Sequence, residues 1–178
     1  MNEYRFTLKF EVPANEDLEA LSAYLYENGC DDAVIGIGVP GRIALNFERK
    51  SDSADKAVVS ALENVKKIAP HAKLTEAAPD LVGATDIAEI LNCSRQNVQK
   101  MIASRKNNFP SPAFIDASCG NRIALWHLST VLEWLKENEK FDDEALYDLA
   151  STTMTINFAN KPANYKIELE DKIKELVA

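Results

Sequence analysis

"TDIAEILNCSRQNVQKMI" (residues 85–102) holds two short apolar rows with a break between them. Ile87, Ala88, Ile90 and Leu91 share one helical face, Val98, Met101 and Ile102 share another, and Asn92-Cys93 interrupts the period. Thr85 and Ser94 carry short hydroxyls that can accept a backbone N–H, so they are the expected N-caps of the two helices. Helices that cross steeply over so short a turn need a small residue where their backbones touch, and Ala88 supplies it. Four positions later the turn needs a residue tolerant of a left-handed backbone, here Asn92; six further on, the branched Val98 closes the core. The spacing predicts a helix-turn-helix. Outside its buried row the second helix offers Arg95, Gln96, Asn97, Gln99 and Lys100, amides and long cations without a carboxylate. Such a face suits base edges and phosphates better than the surface of another protein, the alternative for an ordinary helical hairpin.

Downstream, "FPSPAFIDASCGNRIALW" (residues 109–126) reads as a Pro-delimited strand, a turn around Cys119-Gly120-Asn121 and a return strand through Ile123 and Leu125 to Trp126. Ser129 is then the expected cap of "STVLEWLKEN", with Val131, Leu132 and Leu135 inward and Trp126 and Trp134 as core anchors. Helix, turn, helix, hairpin, helix is a winged-helix order. Ser94-Arg95 at the start of the recognition helix, Phe109-Pro110 at the wing's entry, Gly120-Asn121-Arg122 at its tip, and Trp126, Ser129 and Val131-Leu132-Glu133-Trp134-Leu135 carry a further likeness. In these positions the chain resembles the AlpA and excisionase type of MerR-like DNA-binding domains, over about residues 81–138. The resemblance implies a DNA-binding regulator; His127 stands where family members often carry Arg.

The expected DNA contacts are Ser94, Arg95, Gln96, Asn97, Gln99 and Lys100 on the recognition helix. Arg105 and Lys106 follow it, where a chain leaving the groove meets phosphates. Arg122 either enters the minor groove or is a plain surface arginine. Cys93 is expected to pack as a small hydrophobe, and Cys119 lacks the basic surroundings of a redox sensor.

The net charge of −8 is unevenly placed: residues 1–79 carry 9 Lys+Arg against 13 Asp+Glu, residues 80–136 carry 6 against 5, and residues 137–178 carry 5 against 10. Only the middle segment escapes the acidity, and local charge decides which surface a polyanion meets. Cys30, Cys93 and Cys119 form no CxxC pair, and with only His71 and His127 besides, neither a metal nor another cofactor is expected. No apolar run approaches the roughly 20 residues that span a bilayer, and no basic, then apolar, leader is visible. A cytoplasmic location away from membranes is expected.

Residues 1–79 alternate strand and helix signals. Phe6, Leu8 and Phe10 recur every second residue; Leu18, Leu21 and Leu25 follow helical spacing up to Asn28-Gly29; "AVIGI" and "RIALNFE" are strands; "SADKAVVSALENVKKI" is an amphipathic helix stopped by Pro70; "AKLTEA" is a last strand. "GIGVPG" (residues 36–41) fits the spelling of a dinucleotide loop, with Asp55 downstream, but a strand follows it where that mechanism needs a helix. Val39-Pro40-Gly41-Arg42 suits a type II turn instead. The order βαββαβ predicts a ferredoxin-like domain, either a regulatory small-molecule domain or a dimerisation module. Its third strand lacks the aromatics on which RNA bases stack.

After Asn138, Phe141, Ala145, Leu149, Thr153 and Ile156 make one helical stripe and Tyr165, Leu169, Ile173 and Leu176 another. Such short helices must pack on the body of the protein, a second copy or another partner. The expected fold is therefore α+β: a ferredoxin-like domain (1–79), a winged helix-turn-helix (80–138) and a helical extension (139–178). The expected function is a sequence-specific transcriptional regulator on double-stranded DNA, a repressor acting as a homodimer, with the C-terminal stripes as favoured interface. The alternative is an antitoxin-like adaptor whose acidic C-terminal helices bind a protein partner while the winged helix autoregulates its operon. No GxSxG, HExxH, Walker loop or paired catalytic carboxylate suggests an enzyme.

Overall fold

The computed structural model describes residues 1–104, 108–116, 123–162 and 164–177. Within them the chain is mixed α+β, with seven helices and antiparallel sheets. The first six elements are β1 (Asn2–Glu11), α1 (Leu18–Glu27), β2 (Ala33–Val39), β3 (Arg42–Ser51), α2 (Ala54–Ile68) and β4 (Lys73–Ala78). Their strands form one sheet in the order β2-β3-β1-β4, every neighbour antiparallel. Period-two patterning sets the register: Phe6 lies opposite Phe47, Leu8 opposite Leu45 and Phe10 opposite Ile43, all six buried. The Phe6 and Phe47 rings stack at 5.1 Å. Opposed large side chains on one face are what fixes strand pairing. The other face is polar, with Thr7 donating to Asn46 at 2.7 Å and Lys9 to Glu76 at 2.7 Å.

Asp17 caps α1 by accepting the Ala20 N–H, and Gly29, at φ 105, turns the chain out of the helix. Gly41 stands at φ 73 between β2 and β3, as the third position of a type II turn requires. Arg49 holds this end of the sheet: its guanidinium forks onto Asp32 at 2.6 and 2.9 Å and donates to Ser60 at 3.0 Å. α2 turns Ala57, Val58, Ala61 and Val65 onto the sheet, small residues that let the helix lie close.

A second core gathers around β5 (Leu81–Val82), α3 (Ala84–Ile90), α4 (Arg95–Ala103), β6 (Phe114–Asp116), β7 (Ile123–His127) and α5 (Leu128–Glu137). β7 lies between β5 and β6, antiparallel to both. β5 has no counterpart in the sequence reading, because two residues are too short to show a period.

The helix α6 (Glu144–Ala159) joins the two cores: Leu149 belongs to the first and its neighbour Ala150 to the second. Thr153, fully buried, donates to Pro79 C=O at 2.5 Å. Asn157 acts as a piece of strand for the outer edge of β4, accepting the Ala77 N–H and donating to the Ala77 C=O, each at 2.8 Å. Asn160 donates to Leu74 C=O at 2.7 Å. The stripe expected to seek a second copy is thus covered, over α6, within the chain itself. The last helix, α7 (Ile167–Val177), leaves Ile167, Leu169, Ile173 and Leu176 exposed. Lys161 and Lys174 pair with Glu170, and these partners hold the Glu170 carboxyl below its usual range. No helix among the described residues is long and apolar enough to cross a membrane.

Candidate nucleic-acid interface

α3 and α4 meet through the residues whose spacing suggested them. Ala88 is buried at 5% exposure, Val98 is fully buried, and Asn92 takes φ 47, the left-handed conformation that asparagine tolerates. The Cys93 N–H donates to Ala88 C=O at 2.9 Å and closes the turn. Ser94 caps α4, its Oγ accepting the Asn97 N–H at 3.3 Å. Cys93 is half-buried against the second core.

Two expected caps are corrected. α3 begins earlier than Thr85: Gly83 takes the cap position and its N–H donates to Asp86 Oδ2 at 2.7 Å. A carboxylate at the third helical position reaches back more effectively than the Thr85 hydroxyl. α5 begins at Leu128 after His127, and Ser129 is buried inside its first turn with its hydroxyl on Met154 Sδ at 3.1 Å.

The α5 side anchors the unit. Trp126 and Trp134 are buried, and Phe109 packs edge-on against both, with ring centroids 5.9 and 5.0 Å away. Trp126 Nε1 donates to Pro110 C=O at 2.9 Å, which pins the Phe109-Pro110 segment to β7. His127 turns inward: its Nδ1 lies 2.6 Å from Asp80 Oδ1, and its ring rests beside Phe158 at 5.3 Å. Asp80, 6% exposed, also accepts from Asn157 Nδ2 at 2.7 Å. The cluster Asp80–His127–Asn157 thus locks β7 to α6 and takes His127 away from any phosphate. Sequence reading missed it, since a contact spanning 47 residues leaves no local signal.

Against this buried side stands the outward face of α4. Ser94, Arg95, Gln96, Asn97, Gln99 and Lys100 are all exposed, while Val98 alone of residues 94–100 is buried. Six of the expected contact residues, the cap Ser94 included, are therefore open to solvent. Arg105, Lys106 and Arg122, like Cys119, Gly120 and Asn121, lie outside the described residues. Among the described residues no group of three or more His, Cys, Asp and Glu side chains is arranged to hold a metal. No protein-family model, curated protein or solved structure matches the chain.

Proposed function

We propose that the chain is a sequence-specific DNA-binding transcriptional regulator, a repressor acting as a homodimer. In this reading residues 80–138 are a winged helix-turn-helix, with β6 and β7 flanking the wing, and residues 1–79 are a ferredoxin-like regulatory or dimerisation domain. One observation carries it: α4 exposes Arg95, Gln96, Asn97, Gln99 and Lys100 together, and no carboxylate interrupts them. Arg95 at the N-terminal end of such a helix can fork onto guanine O6 and N7, and Gln96 or Gln99 onto adenine; each bidentate pair is worth about 1–3 kcal/mol of base discrimination. Arg105 and Lys106 would grip phosphates and so set register without reading sequence.

The test is selection of a duplex from random sequence, then anisotropy titration over a range of salt. Arg95→Ala should relax preference at one base pair, whereas Arg105→Ala should weaken every duplex alike and flatten the salt slope by about one. Equal losses from both variants on selected and scrambled DNA would refute the assignment.

The exposed apolar residues of α7 favour a second reading, the adaptor. A chain ended at Asn160 should keep full DNA affinity if α7 serves DNA binding in no way. If the adaptor reading holds, the same chain loses a protein partner that the full chain retains.

A further inference from the structure

Two apolar surfaces of the chain lie open, one on a sheet and one on a helix. In the sheet β5-β7-β6, Leu81 lies opposite His127, Phe114 opposite Leu125 and Asp116 opposite Ile123. Opposed residues share a face and every second residue returns to it, so Leu81, Phe114, Ile123 and Leu125 stand together. Their face points away from the second core, in which Val82 and Trp126 of the other face are buried. α6 covers one end of it, where Phe158 rests on His127. Leu81, Phe114, Ile123 and Phe158 stay about half-exposed. The helix is α7, along which Leu169, Ile173 and Leu176 share one side, with Tyr165 just before it; all four are exposed and none packs on either core. Lys161 pairs with Glu170 and sits over the Tyr165 ring at 4.6 Å, and the Tyr165 N–H donates to Pro162 C=O at 2.9 Å. These contacts fold the linker onto the start of α7 and hold its stripe off its own chain.

We propose that a second copy covers both surfaces: α7 of each protomer lies on the outward face of the partner's β5-β7-β6 sheet, an exchange about a two-fold axis. Area favours it over α7 pairing with α7. The eight side chains offer about 100 Å² each, so the exchange buries about 800 Å² per protomer, the size of a stable interface, whereas two α7 stripes alone bury about half of that, the level of casual packing contacts. Charge agrees. α7 carries Glu168, Glu170, Asp171 and Glu175 against Lys172 and Lys174, so α7 on α7 sets acid against acid, while residues 80–136 are the one segment without an acidic excess. An outside protein on α7 would leave the sheet face bare; the exchange covers one helix and one face in each chain and closes on itself. This deepens the homodimer of the proposed function, on which it rests, and is independent of DNA contact.

The experiment is sedimentation equilibrium of the full chain without DNA. Leu169→Asp spoils the helix and Phe114→Lys the sheet face; both residues lie outside the cores, and unfolding curves should match the parent. Each variant alone should dimerise at least about tenfold more weakly, because every contact in its own dimer sets a charge against apolar surface. Mixed, they should recover the dimer, since the Phe114→Lys chain keeps an intact α7 and the Leu169→Asp chain an intact sheet face. Ile123→Lys should replace Phe114→Lys in the mixture with the same result. A dimer indifferent to these variants, or a mixture no tighter than its components, overturns the exchange and leaves the homodimer standing. A monomeric wild-type chain overturns both, and leaves α7 to the protein partner of the adaptor reading.

Discussion

Replacing Asn157 by alanine tests how strongly α6 binds the two cores together. The side chain makes two bonds of 2.8 Å to the backbone of Ala77, which is fully buried, and one of 2.7 Å to Asp80, 6% exposed. A neutral hydrogen bond contributes about 1 kcal/mol net, one to a charged group about 1.5–3, and a buried donor left unmatched costs about 1–3. Asp80 keeps His127, so the expected loss is about 3–5 kcal/mol, or a fall of about 10 °C in Tm for a chain of this size. Asn160→Ala is the internal control, because it removes the same kind of bond, to Leu74 C=O at 2.7 Å, from an exposed site. It should cost under about 1 kcal/mol. Urea unfolding followed by circular dichroism measures both. If the two variants lose equal stability, or Asn157→Ala stays within about 1 kcal/mol of the parent, the edge-closing role of Asn157 is wrong.

Ala88→Leu should overpack the crossing of α3 and α4, costing about 1–3 kcal/mol and lowering DNA affinity by tilting α4; wild-type values in both denaturation and anisotropy would contradict this. Burial pushes the Cys30 thiol up to about 11, so at pH 8 a thiol reagent should modify half-exposed Cys93 well before Cys30, which reacts only on unfolding. Because the folded value lies above the unfolded one, Cys30 contributes stability below about pH 9 that fades toward pH 11. Cys30→Ala should therefore flatten the stability profile in that window by about 2 kcal/mol, and an unchanged slope would argue against it.

Local features were the legible ones. Alternation in β1 and β3 gave the strands and their inward faces, since Phe6, Leu8 and Phe10 leave one choice of face; the register, Phe6 opposite Phe47, was not legible, because a slip of two residues keeps the same face. The triad Ala88, Asn92 and Val98 defined a turn whose backbone demands are specific, and each residue occupies the environment its spacing implied. Pro40-Gly41 outweighed the nucleotide-loop spelling because a β-turn needs only its own residues. The helix starts near Gly83 and Leu128 were misread, because Thr85 and Ser129 have capping chemistry but nearby residues determine where each first turn lies. Nothing in the sequence marked Asn157 or Thr153 as partners of Ala77 and Pro79, more than 70 positions upstream. An amide that imitates a strand looks like any surface asparagine until the fold delivers it.

That delivery is late in the order of synthesis. The residue that closes β4's edge follows it by 80 positions, so a ribosome completes the larger sheet and the whole second core before Asn157 exists. Throughout that interval the outer edge of β4 stands unguarded on the nascent chain, a condition under which growing chains mispair with their neighbours. Slower elongation beyond Pro79 prolongs the exposure, and translation stalled before α6 should yield chains that aggregate through β4.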